Sequence, residues 1–388
     1  MPKRRQCYQI PGLVAGGSPS ASPSATRVGE YLFSSACTGQ DPATGQLAQG
    51  ADQQADRAFS NLRALVETSG FNTDDIVRMW VWLKDWSVQD AVAKPWLEMF
   101  PDADNRPAAA FVTATDLPPN QFLQLEIVAK QGGGSRRSIS IPGATLGDAY
   151  PTISIKGDLY ATGSIRGDKG EPTPAQAARL HERIKAGLDA IGASTDSVAH
   201  VLSWYRDHSS RDIQNGPFVT LFPMPGDRPN RHSVIRNLPD GVEIATEAMG
   251  VKGGMRVNYT MHGPRHGGID GMWNSLPLGV SIANLVHSAG TMGRDPVTDE
   301  NSPDPNNQAE VAFANTRRLM EAAGLSMDDI GHMFVWYTDQ ASRDALNAPL
   351  QAFFPNPDDR PAWHLIQADL PGDMVVQVEI IAVRPSAG

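Results

Sequence analysis

The chain of 388 residues is long enough for two or three domains that each bury a core, which excludes a single small module. Forty per cent of its residues are hydrophobic and 20% are charged, and 36 glycines and 30 prolines indicate a globular protein with many turns. The net charge of −10 argues against a nucleic-acid partner, because an acidic surface repels phosphate backbones.

The sequence also argues against a membrane or secreted protein. No apolar segment reaches the roughly 18 to 20 residues that a membrane helix needs. The basic residues 1–5 precede a segment that Pro11 and Gly12 interrupt, which makes a poor signal peptide. Cys7 and Cys37 cannot form a multi-disulfide framework and lack metal-ligand spacing. We therefore expect a cytoplasmic protein without a membrane partner.

The strongest signal is an internal repeat. Three segments of seventeen residues each run from Gln to Gly, at 54–70, 176–192 and 308–324. In the second segment, Leu180, Ile184 and Leu188 recur every four residues, which places them on one face of a helix. The closing glycine suits a left-handed helix cap. Each segment is therefore predicted to be an amphipathic helix that ends at its glycine.

The same landmarks follow each predicted helix in the same order. Segments rich in β-branched and aromatic residues, at 77–85, 198–207 and 330–339, are predicted strands. A second helix, an Arg-Pro pair, an apolar strand, a Leu-Pro turn and a last strand come next, and a hairpin precedes the first helix. The arginines of the Arg-Pro pairs are Arg106, Arg228 and Arg360, and the last strands carry Glu126, Glu247 and Glu379. We interpret these arginines as structural.

Glycine-rich segments at 132–134 and 252–254 separate the copies. They predict three domains, which span residues 1–133, 134–253 and 254–388. The fold class is α+β, in which helices cover one face of each sheet and leave the other face apolar. Three tandem copies can cover these faces for one another, so we expect an intramolecular pseudo-trimer around a pseudo-threefold axis, with clefts between copies.

The motifs resemble those of the RidA/YjgF/UK114 family, which includes reactive enamine/imine deaminases. They are Ser34-Ser35-Ala36, Asp41-Pro42-Ala43-Thr44-Gly45, Trp82-Leu83-Lys84-Asp85, Arg106-Pro107-Ala108 and Leu117-Pro118. The resemblance implies chorismate-mutase-like units in a trimer, small-molecule sites between units, and hydrolysis of an enamine or imine to a keto acid and ammonia. The sequence contains no cofactor-binding or metalloprotease motif, so no cofactor or metal is expected.

The resemblance also implies site residues. The family site combines an Arg for the substrate carboxylate, a Tyr, a Ser or Thr, an Asn from a facing segment, and a Glu that positions water. In the second copy these positions read Tyr150, Thr162, Asn215 and Arg231. The third copy has Ala289, Asn347 and Trp363 at the hydroxyl, asparagine and arginine positions, and the first has Ser35, Ala93 and Ala109. We therefore expect one functional cleft between copies two and three, where Arg231 and Tyr150 face Asn347.

No copy retains the family glutamate. The position reads Gln124, Ala245 and Gln377. A neutral side chain at this position cannot take up a proton as a carboxylate does. Counting back six residues from the Leu-Pro turns gives Phe111, His232 and His364. Because histidine titrates near neutrality, His232 or His364 is predicted to replace the missing base.

Two further groups of residues have a structural and a functional interpretation. Trp204 and Trp336, with Trp82, share one strand position and either pack in the core or stack on a ligand. His262 and His266 have a spacing of four, but Pro264 argues against the helix that a metal site would use.

We expect a hydrolase that acts on a carbon–nitrogen bond of a small carboxylated or cyclic nitrogen-containing metabolite, by deamination or by a related amide or ring opening. One alternative is a binding or sensing module without catalysis, which the missing glutamates favour. Another is a three-domain ring-opening amidohydrolase, which would need a serine–lysine pair in each copy. The chain is expected to act as a monomeric pseudo-trimer, and its further self-association stays open.

Overall fold

Three seven-stranded sheets of one topology build the computed structural model, which describes residues 4–10, 22–260 and 276–385. We call each sheet with its helices a unit. Unit 1 contains β1 Arg5–Tyr8, β2 Ala25–Val28, β3 Tyr31–Ser34, β4 Cys37–Thr38, α1 Gly50–Thr68, β5 Ile76–Leu83, α2 Ala93–Met99, β6 Ala108–Thr113 and β7 Leu123–Lys130. Unit 2 contains β8 Arg137–Ile139, β9 Ile153–Lys156, β10 Leu159–Thr162, β11 Ile165–Arg166, α3 Thr173–Ile191, β12 Val198–Tyr205, α4 His208–Ile213, α5 Asn215–Leu221, β13 Asn230–Ile235 and β14 Ile244–Val251. Unit 3 contains β15 Arg256–Tyr259, β16 Gly279–Ile282, β17 Leu285–Ser288, β18 Thr291–Met292, α6 Pro305–Ala322, β19 Ile330–Tyr337, α7 Gln340–Ala345, α8 Asn347–Phe353, β20 Ala362–Gln367 and β21 Val376–Val383.

The strand order is the same in all three sheets. In unit 1 it is β1-β2-β3-β7-β5-β6, where β5 and β6 are parallel and the other neighbours are antiparallel. Strands β6, β13 and β20 are therefore the outer strands of their sheets. The predicted α+β class with three similar units is confirmed, and the domain boundaries at residues 133 and 253 stay predictions. Within the described ranges, none of the helices is both long and apolar enough to cross a bilayer.

The long helix of each unit ends where the sequence predicts. The closing glycines adopt positive φ angles of 75° at Gly70, 68° at Gly192 and 69° at Gly324, a conformation that residues with a Cβ rarely adopt. The helices begin at residues 50, 173 and 305, one turn before the repeated Gln. That first turn is largely exposed, so it contributes little to the apolar pattern that predicts the helix.

Each sheet buries two apolar faces, one under its own helices and one in a core that all three units share. On β5, Met79 and Val81 pack in the core of unit 1, whereas Trp80 and Trp82 point to the shared core. Alternate residues of a strand point to opposite faces, so one strand supplies both cores. The shared core therefore makes the units one pseudo-trimer.

Three tryptophans meet at the centre of the shared core. The ring centroids of Trp82, Trp204 and Trp336 lie 6.0 to 6.5 Å apart, and each residue is at most 1% exposed. They occupy equivalent strand positions and mark the pseudo-threefold axis. The predicted ligand-binding role of Trp204 and Trp336 is therefore wrong, because neighbouring side chains enclose their rings completely.

Equivalent arginines at the start of each unit bridge to a neighbouring unit. They are Arg5, Arg136 and Arg256, and each donates to backbone carbonyls of the neighbour. Arg5 donates to Met327 O and Asp359 O of unit 3, both at 2.8 Å, and Arg136 and Arg256 make the equivalent contacts to units 1 and 2. Because units 1 and 3 lie at opposite ends of the chain, Arg5 helps to close the ring of units without a covalent link.

Each last strand buries a glutamate at the contact with another unit. These glutamates are Glu126, Glu247 and Glu379, at most 5% exposed. Glu126 accepts a hydrogen bond from Trp82 of its own unit and lies 2.9 Å from Nδ1 of His364 in unit 3. A buried carboxylate is stable only when it is paired, so Glu126 requires contact with unit 3.

The other two carboxylates have partners of different chemistry. Glu379 lies 3.1 Å from His200 Nε2 and 2.6 Å from His232 Nδ1, both in unit 2. Glu247 accepts from Trp204 of its own unit and pairs with Arg78 of unit 1 at 3.4 Å. The three glutamates thus make contacts at equivalent positions. Glu247 pairs with an arginine, whereas Glu126 and Glu379 each lie beside two histidines.

These partners shift the carboxylate pKa values in different directions. Burial opposes ionisation of Glu126, but His364 and His332 outweigh it and lower its pKa to about 2. Burial likewise opposes ionisation of Glu379, and its two histidines lower its pKa. For Glu247 burial outweighs Arg78 and raises the pKa. Ionised Glu126 and Glu379 therefore stabilise the fold.

We expect the unfolding free energy of the Glu126→Gln variant to fall less steeply with decreasing pH than that of the wild type. A carboxylate whose pKa is lowered in the folded state stabilises above its unfolded pKa, and this contribution disappears as pH falls from 4.5 towards 2. It amounts to about 3 kcal/mol over that range. The measurement is the free energy of urea unfolding at pH 6, 5, 4 and 3. The control is Glu67→Gln, a change of an exposed residue on α1. Equal pH slopes for wild type and Glu126→Gln would contradict this assignment.

Candidate functional site

The candidate sites lie at three interfaces, where the outer strand of one unit faces the hairpin of another. At interface 1–2, Ser164 N donates to Ala109 O at 3.3 Å. At interface 2–3, Asn230 Nδ2 donates to His287 O at 2.7 Å. At interface 3–1, Trp363 N donates to Ser35 Oγ at 3.0 Å. A unit therefore contributes its hairpin to one interface and its outer strand to another.

The strand register identifies the equivalent positions on the outer strands. Ala109, Arg231 and Trp363 pair with equivalent residues of β5, β12 and β19, in agreement with the arginine position assigned from sequence. The next residues are Ala110, His232 and His364. The assignment of Phe111 beside the two histidines is therefore wrong by one residue. The segment before the Leu-Pro turn is one residue longer in unit 1, so counting back from that turn shifts the register.

Thr162 has a structural role. Its hydroxyl accepts from Ala248 N at 2.8 Å, and Ser34 and Ser288 make the same contact in units 1 and 3. The residues one position later approach the interface: Ser35 Oγ accepts from Trp363 N, and Gly163 lies against Ala109 O. The predicted substrate contact of Thr162 is therefore wrong, because a one-residue shift along an extended chain moves the side chain to the other face.

Tyr150 lies at interface 1–2 rather than beside Arg231. Its ring packs against Phe111 and Trp96 of unit 1, with centroid distances of 4.7 and 5.2 Å. Burial raises the pKa of its phenol to about 12. The predicted cleft that combines Tyr150 with Arg231 is wrong, because the hairpin and the outer strand of unit 2 face different neighbours. Aromatic rings fill interface 1–2 at this point.

Interface 3–1 has also lost the arginine. Trp363 occupies the position, 2% exposed, and its ring lies 6.4 Å from that of Phe354. His364 lies beside it and is held by Glu126 at 2.9 Å. The Asn347 amide donates to Asp344 O at 3.0 Å within its own helical segment. Interface 3–1 therefore has a tryptophan, and not an arginine, at the position equivalent to Arg231.

Interface 2–3 keeps the arginine. Arg231 is 6% exposed, and its Nη2 donates to Asn215 Oδ1 at 2.8 Å. The guanidinium lies 4.8 Å from the centroid of the Phe218 ring. Burial lowers the pKa of Arg231, opposed by Tyr205 and Asp212. The structure thus brings Arg231 and Asn215 together, both from unit 2.

His232 lies on the opposite face of β13 from Arg231. Its Nδ1 is 2.6 Å from Glu379 Oε2 and its Nε2 is 2.7 Å from Gln377 Oε1. Gln377 is the residue that the family resemblance assigns to the glutamate position, and His232 contacts it directly. Both ring nitrogens are occupied by unit 3, so His232 could accept a substrate proton only after losing one of these contacts.

Another histidine, His181, lies on the same side of β13 as Arg231. His181 on α3 places its ring 6.5 Å from that of Phe218, which also contacts Arg231. Its Nδ1 lies 2.7 Å from Ala177 O, and its Nε2 is buried without a hydrogen-bond partner among the described residues. Burial lowers the pKa of His181 to about 4, with Arg231 as a further cause, so the ring is neutral at pH 7.

The repeat contains a signal for His181 that the motif-based analysis missed. The equivalent positions in α1 and α6 are Phe59 and Phe313, both buried in the cores of their units. A titratable ring in place of a core phenylalanine in a single copy marks a site of changed chemistry. The family site residues that the resemblance implies do not include this helix position.

Among the described residues, no group of three or more His, Cys, Asp or Glu side chains is arranged to hold a metal ion. His262 and His266 lie outside the described residues.

Comparison with known proteins identifies two of the three units, units 1 and 3, as copies of one family domain. The family model described as endoribonuclease L-PSP matches residues 20–131 and 274–384. A RutC family protein of Aquifex aeolicus is 30% identical over 105 residues, which is 27% of this chain and 84% of that protein. The 2-iminobutanoate/2-iminopropanoate deaminase of Escherichia coli K12 is 33% identical over 108 residues, with the same shares of 27% and 84%.

A solved chorismatase has a similar fold at 14% identity, with a TM-score of 0.59, and the match covers 80% of this chain and 93% of that one. The family matches together span more than half of the chain. The chain therefore belongs to the endoribonuclease L-PSP family, the RidA/YjgF/UK114 group that its motifs resemble.

Proposed function

We propose that the protein hydrolyses the carbon–nitrogen bond of a small imino or enamino acid at interface 2–3, where Arg231 binds the substrate carboxylate. The observation that carries this proposal is the buried Arg231–Asn215 pair, present at one of the three equivalent interfaces. A planar guanidinium recognises a carboxylate through two parallel hydrogen bonds. The deaminase named for a 33%-identical relative acts on imino acids of this size, which supports the substrate class.

The outer position of β13 allows a ligand to reach both of its faces. The strand lies at the edge of its sheet, and that edge faces unit 3. A ligand along the edge contacts Arg231 on the helix side, and its reacting carbon lies on that same side, towards His181. Gln377 lies on the other face of the strand, beside His232, and its neutral amide cannot deprotonate water.

His181 is the proton carrier that this geometry favours. It is neutral at pH 7, its Nε2 offers a lone pair, and it contacts the same Phe218 ring as Arg231. In the hydrolysis, His181 takes a proton from the attacking water and returns it to the leaving nitrogen. The role first assigned to His232 is less favourable, because its two nitrogens contact Glu379 and Gln377.

A second function, binding without turnover, is favoured by one specific observation. Gln377 stands in place of the family glutamate, and its Oε1 is engaged by His232 at 2.7 Å. A protein that senses or stores a small keto acid needs Arg231 and does not need a base. Binding of 2-oxobutanoate that depends on Arg231, without ammonia release from 2-iminobutanoate, would establish this second function and exclude the first.

We expect Arg231→Ala to lower kcat/KM for 2-iminobutanoate hydrolysis by about 100-fold, because two charge-assisted hydrogen bonds of about 1.5 kcal/mol each are lost. The measurement is ammonia release at substrate concentrations that define kcat/KM. Tyr150→Phe is the matched control and keeps wild-type activity, because Tyr150 lies at interface 1–2. Arg231→Ala with wild-type kcat/KM would refute the carboxylate role.

We expect His181→Phe to lower kcat at least about 100-fold with little change in KM, because it removes the base and leaves the arginine. Phenylalanine occupies the equivalent positions of units 1 and 3, so the variant retains the core packing. The wild-type kcat should decline below about pH 4, where His181 becomes protonated. A fully active His181→Phe variant would exclude His181 as the base.

A further inference from the structure

A pocket lies at the pseudo-threefold axis, at the carboxyl ends of the parallel strand pairs. Its volume is about 560 Å³, and residues of all three units line it. Arg236 directly follows β13, Thr338 directly follows β19 and Thr115 lies two residues after β6. Arg231 is five residues before Arg236, a distance of roughly 16 Å along a strand, so this pocket is separate from the proposed site at interface 2–3.

Arg236 replaces a small residue that the fold uses at this position in the other two units. The equivalents are Ala114 and Ala368, and in all three cases the backbone N–H donates to the last residue of the neighbouring strand, at 2.7 to 2.8 Å. Both alanines are buried in the shared core. Packing therefore does not require an arginine here, and burying a guanidinium carries a cost that an alanine avoids.

The guanidinium of Arg236 is incompletely hydrogen-bonded. The residue is 6% exposed, and its Nη1 donates to Ile235 O at 3.1 Å. Its Nε and Nη2 are buried and have no hydrogen-bond partner within the described part of the chain. These two N–H groups form the edge of a guanidinium that pairs with both oxygens of a carboxylate. Two unsatisfied donors on a buried cation cost free energy unless an acceptor is supplied.

The nearest acidic side chains already have partners. Asp116 accepts from the Tyr337 hydroxyl at 2.7 Å and from Gln367 N at 2.9 Å. Asp369 lies on the pocket wall and pairs with His208 at 3.1 Å. Burial lowers the pKa of Arg236 to about 10, opposed by Asp116, so the group stays cationic at neutral pH. Arg206, the other cation of the lining, is paired with Glu243 at 3.3 Å, so Arg236 and the two aspartates favour an anion with a single negative charge over a doubly charged one.

We propose that this axial pocket binds a small hydroxylated monocarboxylate, whose carboxylate accepts hydrogen bonds from Nε and Nη2 of Arg236. The volume exceeds that of a carboxylate group alone, and the side chains of Asn237, Thr338 and Gln367 provide donors and acceptors for hydroxyl groups. The site combines residues of three units, so it exists only in the closed ring.

The test is isothermal titration calorimetry with glycerate, acetate and inorganic phosphate at constant ionic strength. The Arg231→Ala variant serves as the parent, so that binding at interface 2–3 does not contribute. We expect glycerate to bind this parent more tightly than acetate or phosphate does. Adding Arg236→Ala should weaken glycerate binding at least about 10-fold, and the alanine matches the equivalent residue of units 1 and 3, so the fold is expected to persist.

Three results would overturn the proposal: no binding of any probe to the Arg231→Ala parent, unchanged glycerate affinity after Arg236→Ala, or phosphate binding as tight as that of glycerate. Arg236→Lys separates charge from geometry, because lysine keeps the charge and loses the two parallel donors. It should bind glycerate less tightly than the parent, and equal affinity would also count against the proposal. Activity of the Arg231→Ala variant tests only the proposed function at interface 2–3, and glycerate binding to that variant tests only the axial pocket. Either proposal can therefore fail without the other.

Discussion

The burial of one carboxylate at each interface is the constraint on which the rest of the structure depends. Glu126, Glu247 and Glu379 lie in the shared core, where an unpaired charge would be costly, and each finds a cationic or hydrogen-bonding partner on another unit. No unit can therefore bury its inner sheet face alone. The contact fixes which outer strand faces which hairpin, and so decides which side chains can share a ligand.

Covalent fusion allows these equivalent interfaces to differ. A homotrimer of identical chains repeats every substitution three times, whereas a single chain can change one interface and keep the others. Interface 1–2 is filled by Tyr150 and its aromatic neighbours, and interface 3–1 by Trp363. Interface 2–3 retains Arg231. The replacements His181 and Arg236 also belong to unit 2, the unit that keeps the arginine.

The repeat made the fold predictable from sequence. Three aligned copies reveal helix ends such as Gly192 and strands such as Val198–Tyr205, because equivalent positions must satisfy the same packing. The site was less predictable. In an extended chain, adjacent side chains point to opposite faces, so an alignment shifted by one residue placed Thr162 on the wrong face. Tyr150 and Arg231 belong to one unit but face different neighbouring units. No local sequence pattern indicates which neighbour each residue faces.

Some signals were present in the sequence but required the structure to give them meaning. His181 and Arg236 each differ from the residue type that the other two copies share. A single difference between repeats does not indicate a function until the side chains around it are known. The tryptophans show the opposite case. Their recurrence in all three copies reflects the shared core, where Trp82, Trp204 and Trp336 meet, and core packing alone accounts for it.

Cooperative unfolding of the whole chain tests the closed ring most directly. Differential scanning calorimetry of the full-length protein should show one transition, with equal calorimetric and van't Hoff enthalpies, because the units share one core and pair their carboxylates across interfaces. Two or three resolved transitions, each with the enthalpy of about one third of the chain, would show that the units fold independently. That result would contradict the shared core and both sites that depend on it.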